Sequence, residues 1–328
     1  MNKLCKKVLK KPYTYLMFCK NTIKGAYCQF ITKHFPQLNA RTEMKRQKQT
    51  ELLRPVNIKE PIYFNEKMLW LKYYLYNQSP VIAQCYNKYT VRKYVESKGL
   101  GYILNDLYGV WNNIDDIPWT NLPEEFVIKL SNGYYGHVFK HKDNELDIAA
   151  AKKTLEETQR RCKYAFKISG DLFAYGTTPV YICERLLHSD YGYSSPEDYK
   201  FYCFNGVPVL LNYFVNRRYV NGQMSYDMVH LDLRNFSFRP DIELGCSENV
   251  KEFPKSLNQM IEIAKILSRD FPFVRVDLYE ENGKPVFGEL TFTPYHSQTK
   301  TSLIELGNLL DLSNIDKYYK ILLPDTTA

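Results

Sequence analysis

Asp277 and Glu289 are the two residues of this 328-residue chain whose types and spacing point most directly to chemistry. They lie in FPFVRVDLYEENGKPVFGELTFTP, residues 271–294. Val274, Val276 and Leu278 alternate with Arg275, Asp277 and Tyr279, which predicts a strand with one apolar face. Glu280-Glu281-Asn282-Gly283 predicts a hairpin turn, and Pro285–Leu290 the returning strand. Pairing across that turn brings the two carboxylates together beside Arg275 and Thr291. Mg²⁺ takes oxygens in near-octahedral array, commonly one or two carboxylates with nucleotide phosphates and waters completing the shell. The alternative is an ordinary hairpin whose charged residues face water.

The elements around the hairpin read as lobes in series, with no internal repeat or low-complexity tract. Glu66–Tyr76 and Lys88–Lys98 have helical spacing, with Thr90 before Val91–Val95 and Gly99 as a stop. Tyr108–Trp111, Phe126–Leu130 and His137–Lys140 are strand-like, the last two separated by the glycine-bearing Ser131–Gly136. Ile148–Arg161 is a charged helix and Val180–Leu187 a buried strand. Asp198–Phe204 with Val207–Tyr213 form a second hairpin around Asn205-Gly206. Leu257–Leu267 is an amphipathic helix leading into the opening hairpin, and Ile304–Leu310 and Ile315–Leu322 are closing helices.

A composition of 45 % hydrophobic and 15 % aromatic residues excludes a disordered chain, and the length allows two or more lobes around a sizeable core. Eight cysteines are scattered without a C-x-x-C pair or a nearby histidine, so neither a zinc site nor a disulfide framework is expected, and reduced thiols fit a cytoplasmic location. The net charge of +8 is concentrated: residues 1–50 hold twelve Lys/Arg and one Glu, a net +11, while the remainder holds 32 basic and 35 acidic residues, a net −3. The apolar run Tyr13–Phe18 is far shorter than the ~20 residues that cross a bilayer, and no small-residue cleavage site follows it. The basic clusters, interleaved with Leu4, Val8, Leu9 and Tyr15–Phe18, suit an anionic membrane surface or a solvated helical extension. Nucleic acid is disfavoured as a partner, because no recognition motif or aromatic-basic platform accompanies them.

Taken together, EKMLWLKYY (66–74), NKYTVRKYV (87–95), FVIKLSNGYYGHVFK (126–140), DYKFYCFNG (198–206), FPFVRVDLY (271–279) and GELTFTP (288–294) resemble the TupA-like ATP-grasp proteins of bacterial surface-polysaccharide biosynthesis, over roughly two thirds of the chain. The resemblance implies an α+β ATP-grasp fold, with two α+β lobes clasping ATP. Its expected organisation is a basic helical extension over 1–60, a reduced preceding domain over 61–120, an N-lobe over 121–186, and a C-lobe with the hairpin and closing helices over 187–328. Lys129 then resembles the lysine that reaches the α- and β-phosphates, and Lys88 a further phosphate-directed base. Gly133 and Gly136 belong to the phosphate-covering loop, and Glu184 resembles the carboxylate that binds adenine, with Ile182, Leu186 and Leu187 around the base. Asp198 and Lys200, two apart on a strand, are placed at ribose and phosphate. Asp277 and Glu289 resemble the paired Mg²⁺ ligands, with Mn²⁺ an alternative ion, and Arg275 a donor to the transferred phosphoryl group or acyl oxygen. The alternatives are a strand-end surface lysine for Lys129, a helix-start surface charge for Lys88, a salt-bridged strand end for Glu184, a simple ion pair for Asp198 and Lys200, and a structural arginine paired with Asp277 for Arg275. The sequence departs from the family where Gly133 and Gly136 flank Tyr134-Tyr135, since relatives tend to have adjacent glycines; Thr291 stands where many ATP-grasp enzymes place asparagine, as it does in this branch.

The implied activity is a carboxylate–amine ligase, in which Mg·ATP phosphorylates a carboxylate and an amine displaces phosphate from the acyl phosphate. The implied acceptor is an acidic sugar unit of a capsule or cell-wall polymer or its precursor, with an amino acid or small amine as donor. Arg217 and Arg218 are candidates to hold the acceptor carboxylate, and His296 follows TFTP as a third substrate candidate. A sugar kinase using the same pocket and a non-catalytic ATP-binding, membrane-associated scaffold are the competing expectations.

Overall fold

The computed structural model describes residues 25–46, 54–220, 223–239, 253–294 and 300–323. Two antiparallel sheets carry the fold. The first has strand order β1-β4-β2-β3, from β1 (Leu107–Trp111), β2 (Phe126–Leu130), β3 (Val138–Lys140) and β4 (Tyr181–Glu184). The second has order β10-β9-β5-β6-β7-β8, from β5 (Asp198–Phe204), β6 (Val207–Val220), β7 (Gln223–Asp232), β8 (Ser237–Phe238), β9 (Phe273–Glu281) and β10 (Lys284–Thr291). Helices α1 (residues 25–34), α2 (Pro36–Arg46), α3 (Phe64–Tyr74), α4 (Pro80–Tyr86) and α5 (Val91–Ser97) precede the sheets. Within and after them come α6 (Ile148–Ser169), α7 (Leu172–Tyr175), α8 (Leu257–Ser268), α9 (Lys300–Leu309) and α10 (Ile315–Leu322). Helices plus two antiparallel sheets make the chain α+β.

Strand alternation builds each core. Val274, Val276 and Leu278 of β9 are fully buried in a cluster with Phe201 and Cys203 of β5 and Met260, Ile263, Ala264 and Leu267 of α8. The intervening Arg275, Asp277 and Tyr279 occupy the opposite face, because successive side chains of a strand point to opposite sides. The first sheet has its own core, in which Ile128, Leu130 and Cys183 meet Ala151 and Leu155 of α6. That helix begins where the Asp147 carboxylate accepts from the Ala150 N–H at 2.9 Å. It runs to Ser169 rather than Arg161 because Cys162 and Phe166 continue its apolar stripe into the larger core, and Gly170, at φ 74°, closes it.

Several other elements differ from the sequence expectation. α4 was not anticipated, although Ser79-Pro80 is a start signal and the Ser79 hydroxyl accepts from the Ile82 N–H at 3.1 Å. β6 extends seven residues beyond Tyr213, and β7 was unread: its inward Val229 and Leu231 alternate with His230 and Asp232, which are themselves buried, so the pattern lacks an apolar-polar contrast.

Candidate functional site

The Asn-Gly dipeptides of the two predicted hairpins form two-residue turns with positive φ at each position, 54° and 67° at Asn282-Gly283 and 49° and 83° at Asn205-Gly206, as the right-handed twist of the flanking strands requires. The Asp190 carboxylate accepts from the N–H groups of Asn282 and Gly283 at 2.6 and 2.8 Å. Arg185 lies 2.7 Å from Glu281. Thus the loop that leaves β4 is fastened to the tip of the β9–β10 hairpin.

Pairing runs regularly from Lys284↔Glu281 to Phe287↔Leu278, which left uninterrupted sets Glu289 opposite Val276, on the apolar face. A bulge at Gly288 shifts the register by one, so Glu289 pairs with Asp277 and both carboxylates share one face. Only glycine fits there: a Cβ on residue 288 lies 2.8 Å from the Asp277 carbonyl oxygen.

The Arg275 guanidinium grips Asp277 in bidentate fashion, Nε–Oδ1 and Nη2–Oδ2 both 2.6 Å, and Nη2 donates to Thr291 Oγ1 at 3.0 Å. Burial opposes charging of that guanidinium, but Asp277 outweighs it and raises the Arg275 pKa. Lys200 Nζ reaches Asp277 Oδ2 at 2.9 Å and Asp198 Oδ2 at 2.5 Å, and Arg217 also contacts Asp198. Burial raises the Asp198 pKa, yet Lys200 and Arg217 more than offset it and hold the carboxyl below its usual range. Glu289 is drawn well below the carboxylate range in the same way, by Lys88, Arg275 and Lys200 acting against burial; Lys88 Nζ sits 3.0 Å away.

From the first sheet, Lys129 of β2 meets Glu184 of β4 at 2.6 Å, a diagonal pair because Val127 is the residue directly opposite Glu184. Lys88 Nζ also donates to the Gly133 carbonyl at 2.6 Å, tying the glycine-bearing loop to the Glu289 hairpin. Gly136, at φ 70°, presses on α6, where a Cβ stands 1.8 Å from Thr158 Oγ1. The next residue, His137, has its pKa pushed down to about 3, first by burial and then by Lys88 and Lys129.

One cavity of about 370 Å³, within the range of small-molecule sites, joins these groups. Lys88, Lys129, Glu184, Asp198, Lys200, Arg217, Asp277 and Glu289, all singled out in the sequence, line it. Arg275 stands behind Asp277 rather than on the wall, and Gly133 contributes its carbonyl to Lys88. Arg218 pairs with Ser225 in the β6–β7 ladder, its side chain outside the description, and His296 lies outside the described residues. Sequence reasoning missed His137, Arg185, Ser195 and Tyr279 on the wall. Only Tyr279 had a usable signal, its two-residue spacing from Asp277.

A family profile described as TupA-like ATPgrasp matches residues 66–310, well over half of the chain. The chain belongs to the TupA-like ATP-grasp family. Its two-sheet α+β architecture is therefore the ATP-grasp fold. No curated protein compared with this TupA-like chain matches it. Among solved structures it is similar to D-alanine–D-alanine ligase from Helicobacter pylori, at 16 % identity and TM-score 0.37, covering 69 % of this chain and 61 % of that one. It is similar to the same ligase from Bacillus anthracis, at 16 % identity and TM-score 0.40, covering 75 % and 70 %. A third is the ATP-grasp ligase PsnB complexed with a minimal precursor, at 12 % identity and TM-score 0.39, covering 74 % and 63 %. The chain thus spans less than two thirds of the length of the Helicobacter ligase and of PsnB.

ATP-grasp enzymes use ATP with Mg²⁺, and the donors of this TupA-like cleft fit that pair. Asp277 and Glu289 face each other directly, and no group of three or more His, Cys, Asp or Glu able to hold a metal occurs among the described residues. A facing pair of carboxylates suits Mg²⁺, which keeps places for phosphate and water. The wall carries five Lys/Arg against four Asp/Glu, a surplus matching a ligand of net negative charge. Finally, His137 Nε2, Ser195 Oγ and Asp198 Oδ1 are buried on this wall with no hydrogen-bond partner among the described residues, and such atoms call for a polar ligand.

Proposed function

We propose that the protein is an ATP- and Mg²⁺-dependent carboxylate–amine ligase acting on an acidic sugar unit of a surface polysaccharide or its precursor. The observation that carries this reading is the bulge at Gly288, which sets Asp277 and Glu289 side by side on a wall shared with Lys88, Lys129 and Lys200. In it, Asp277 and Glu289 hold Mg²⁺, whose charge offsets that of the phosphates. Lys129 and Lys88 exchange Glu184 and Glu289 for phosphate oxygens, since a flexible ammonium re-aims at little cost. Glu184 accepts from the adenine amino group and Leu186 and Leu187 cover the base.

Arg275, fixed by Asp277 and Thr291, is assigned to offset the charge of the transferred phosphoryl group from behind Asp277, a preorganised charge of the kind that stabilises a transition state. The acceptor carboxylate attacks the γ-phosphorus and ADP departs; the amine then attacks the acyl carbon and phosphate leaves, giving the amide. Arg217, Arg218 and His296 are assigned to hold the acceptor. The lobes meet at the loop after β4, with the first sheet as nucleotide cover and the second as floor. The net +11 of residues 1–50 supports seating the ligase on the anionic inner face of a membrane, where lipid-linked precursors reside.

The test is product analysis with a panel of uronates and amines. A ligase releases ADP and phosphate only when both substrates are present, and the product gains the mass of the amine minus water. Retention of the phosphoryl group on the sugar identifies a kinase instead. Glu289→Gln abolishes Mg²⁺-dependent turnover, and unchanged turnover in that variant rejects the metal assignment.

A further inference from the structure

The two helices that open the described chain carry their aromatic residues on the wrong side for a protein surrounded by water. Their inner stripe is satisfied. Ala40 and Met44 pack with Leu69 and Tyr73 of α3, Asn39 bonds Thr32 and Tyr73 at 2.8 and 3.2 Å, and Glu43 is buried against Lys72 at 3.3 Å. The hairpin of α1 and α2 is therefore fixed to the body of the protein. Its outer stripe nevertheless exposes Tyr27 by 61 %, Phe30 by 54 %, Phe35 by 52 % and Leu38 by 48 %. Phe30 gathers His34 and Phe35 around it, with ring centroids 4.7 and 6.1 Å apart. Such a cluster exceeds the singly scattered apolar residues that an ordinary surface tolerates.

Charge decides what covers it. Lys33, Arg41 and Lys45 are exposed around the aromatics, and the only carboxylate of residues 25–45, Glu43, points inward. The preceding 24 residues of sequence add seven lysines and no Asp or Glu. We propose that the outer face of α1 and α2, with Tyr27, Phe30, Phe35 and Leu38 at headgroup depth and Lys33 and Arg41 beside them, docks on an anionic lipid bilayer. Aromatic and aliphatic groups enter the interface while flanking cations meet lipid phosphates, an arrangement in which area and charge add. This refines the membrane placement above and is independent of the ligase chemistry.

Full-length protein is sedimented with phosphatidylcholine vesicles, with and without phosphatidylglycerol. Expected are binding only to the phosphatidylglycerol vesicles, weakening with added salt, and at least a tenfold loss in the triple variant Tyr27→Ser, Phe30→Ser, Phe35→Ser. Lys33→Glu with Arg41→Glu loses roughly fivefold per unit of charge. As a check that does not depend on the triple variant folding, Phe30→Trp shows a blue shift in difference emission on adding the anionic vesicles. Equal binding to neutral vesicles, a triple variant that binds like wild type, or a Phe30→Trp variant whose emission does not move overturns the proposal. The last two, with salt-sensitive binding retained, leave the placement through the basic N-terminus standing, and no binding at all removes both. ATP binding by the same variants stays at the wild-type level in every case.

Discussion

Gly288→Ala isolates the bulge on which the candidate metal site depends. The new Cβ stands 2.8 Å from the Asp277 carbonyl oxygen and 3.0 Å from Tyr279 Cε2, where ordinary contact begins near 3.4 Å. The tyrosine ring yields, but the carbonyl belongs to the backbone of β9, which is paired with β10 on one side and β5 on the other, and does not. The strand must open by about the missing 0.6 Å. Reverting to the uninterrupted register is no escape, because it drives Glu289 onto the apolar face beside Val276. Overpacking of this kind costs about 1–3 kcal/mol, a fall of a few degrees in melting temperature for a chain of this size. The separation of Asp277 and Glu289 changes by a similar fraction of an ångström, and displacements approaching 1 Å cost up to about 10²-fold in rate. Mg²⁺-dependent ATP turnover and thermal melting are compared for wild type, Gly288→Ala and Gly101→Ala, whose added Cβ meets nothing closer than Glu96 Cγ at 3.6 Å. Turnover drops mainly through kcat, since the adenine wall is untouched. A Gly288→Ala protein with wild-type turnover, or a control that is equally destabilised, refutes the reasoning.

Asp277→Asn takes from the buried Arg275 its bidentate counter-charge and leaves Lys200 with Asp198 alone, and removing one partner of a buried pair destabilises by roughly 3 kcal/mol; a guanidinium melt superimposable on wild type contradicts this. Gly136→Ala clashes with Thr158 Oγ1 at 1.8 Å and also strains a φ of 70°, so the variant melts lower, and adding Thr158→Ala restores part of the loss but not all. If the double variant melts no higher than the single one, the clash is not the cause. His137 titrates near 6.5 when unfolded and near 3 when folded. Between those values the unfolded chain binds the extra proton, so the stabilisation present above pH 6.5 is lost progressively as pH falls toward 3. His137→Asn flattens that part of the melting-temperature profile, and an imidazole resonance that titrates near 6.5 in the folded protein is the contrary result.

What the sequence made legible was local. The Asn-Gly turns, the one-sided alternation of Val274–Tyr279 and the strand FVIKL are each written within a few residues, and each forms as its pattern requires. The meeting of Asp277 with Glu289 was expected, but by simple pairing; counting back from a two-residue turn alone puts Gly288 opposite Asp277. The glycine inside a strand was the available sign of a bulge. Lys88 with Glu289 and Lys200 with Asp277, separated by 201 and 77 residues, are contacts that no local periodicity encodes. Ser195 looks like a loop polar residue and His137 like the polar start of a short strand until the cavity brings them together.

Division of the donors between two sheets has a physical consequence for how the cleft works. Lys129 and Glu184 belong to the first sheet, Asp198, Lys200, Asp277 and Glu289 to the second, and Lys88 to the helical segment that touches both through Gly133 and Glu289. Neither sheet alone combines paired carboxylates with the full set of cations. Internal ion pairs satisfy the cations in the absence of phosphate: Lys88 on Glu289, Lys129 on Glu184, and Lys200 on Asp198 and Asp277. Burying them unpaired would be far costlier. A triphosphate must therefore compete with carboxylates for the same ammonium groups, and a bare one is repelled by Asp277 and Glu289. On the proposed assignment, Asp277 and Glu289 would be neutralised by a divalent ion as Lys88 and Lys200 turn to phosphate, which would resolve both conflicts. On that assignment metal and nucleotide would bind together, each raising the affinity for the other through these shared side chains.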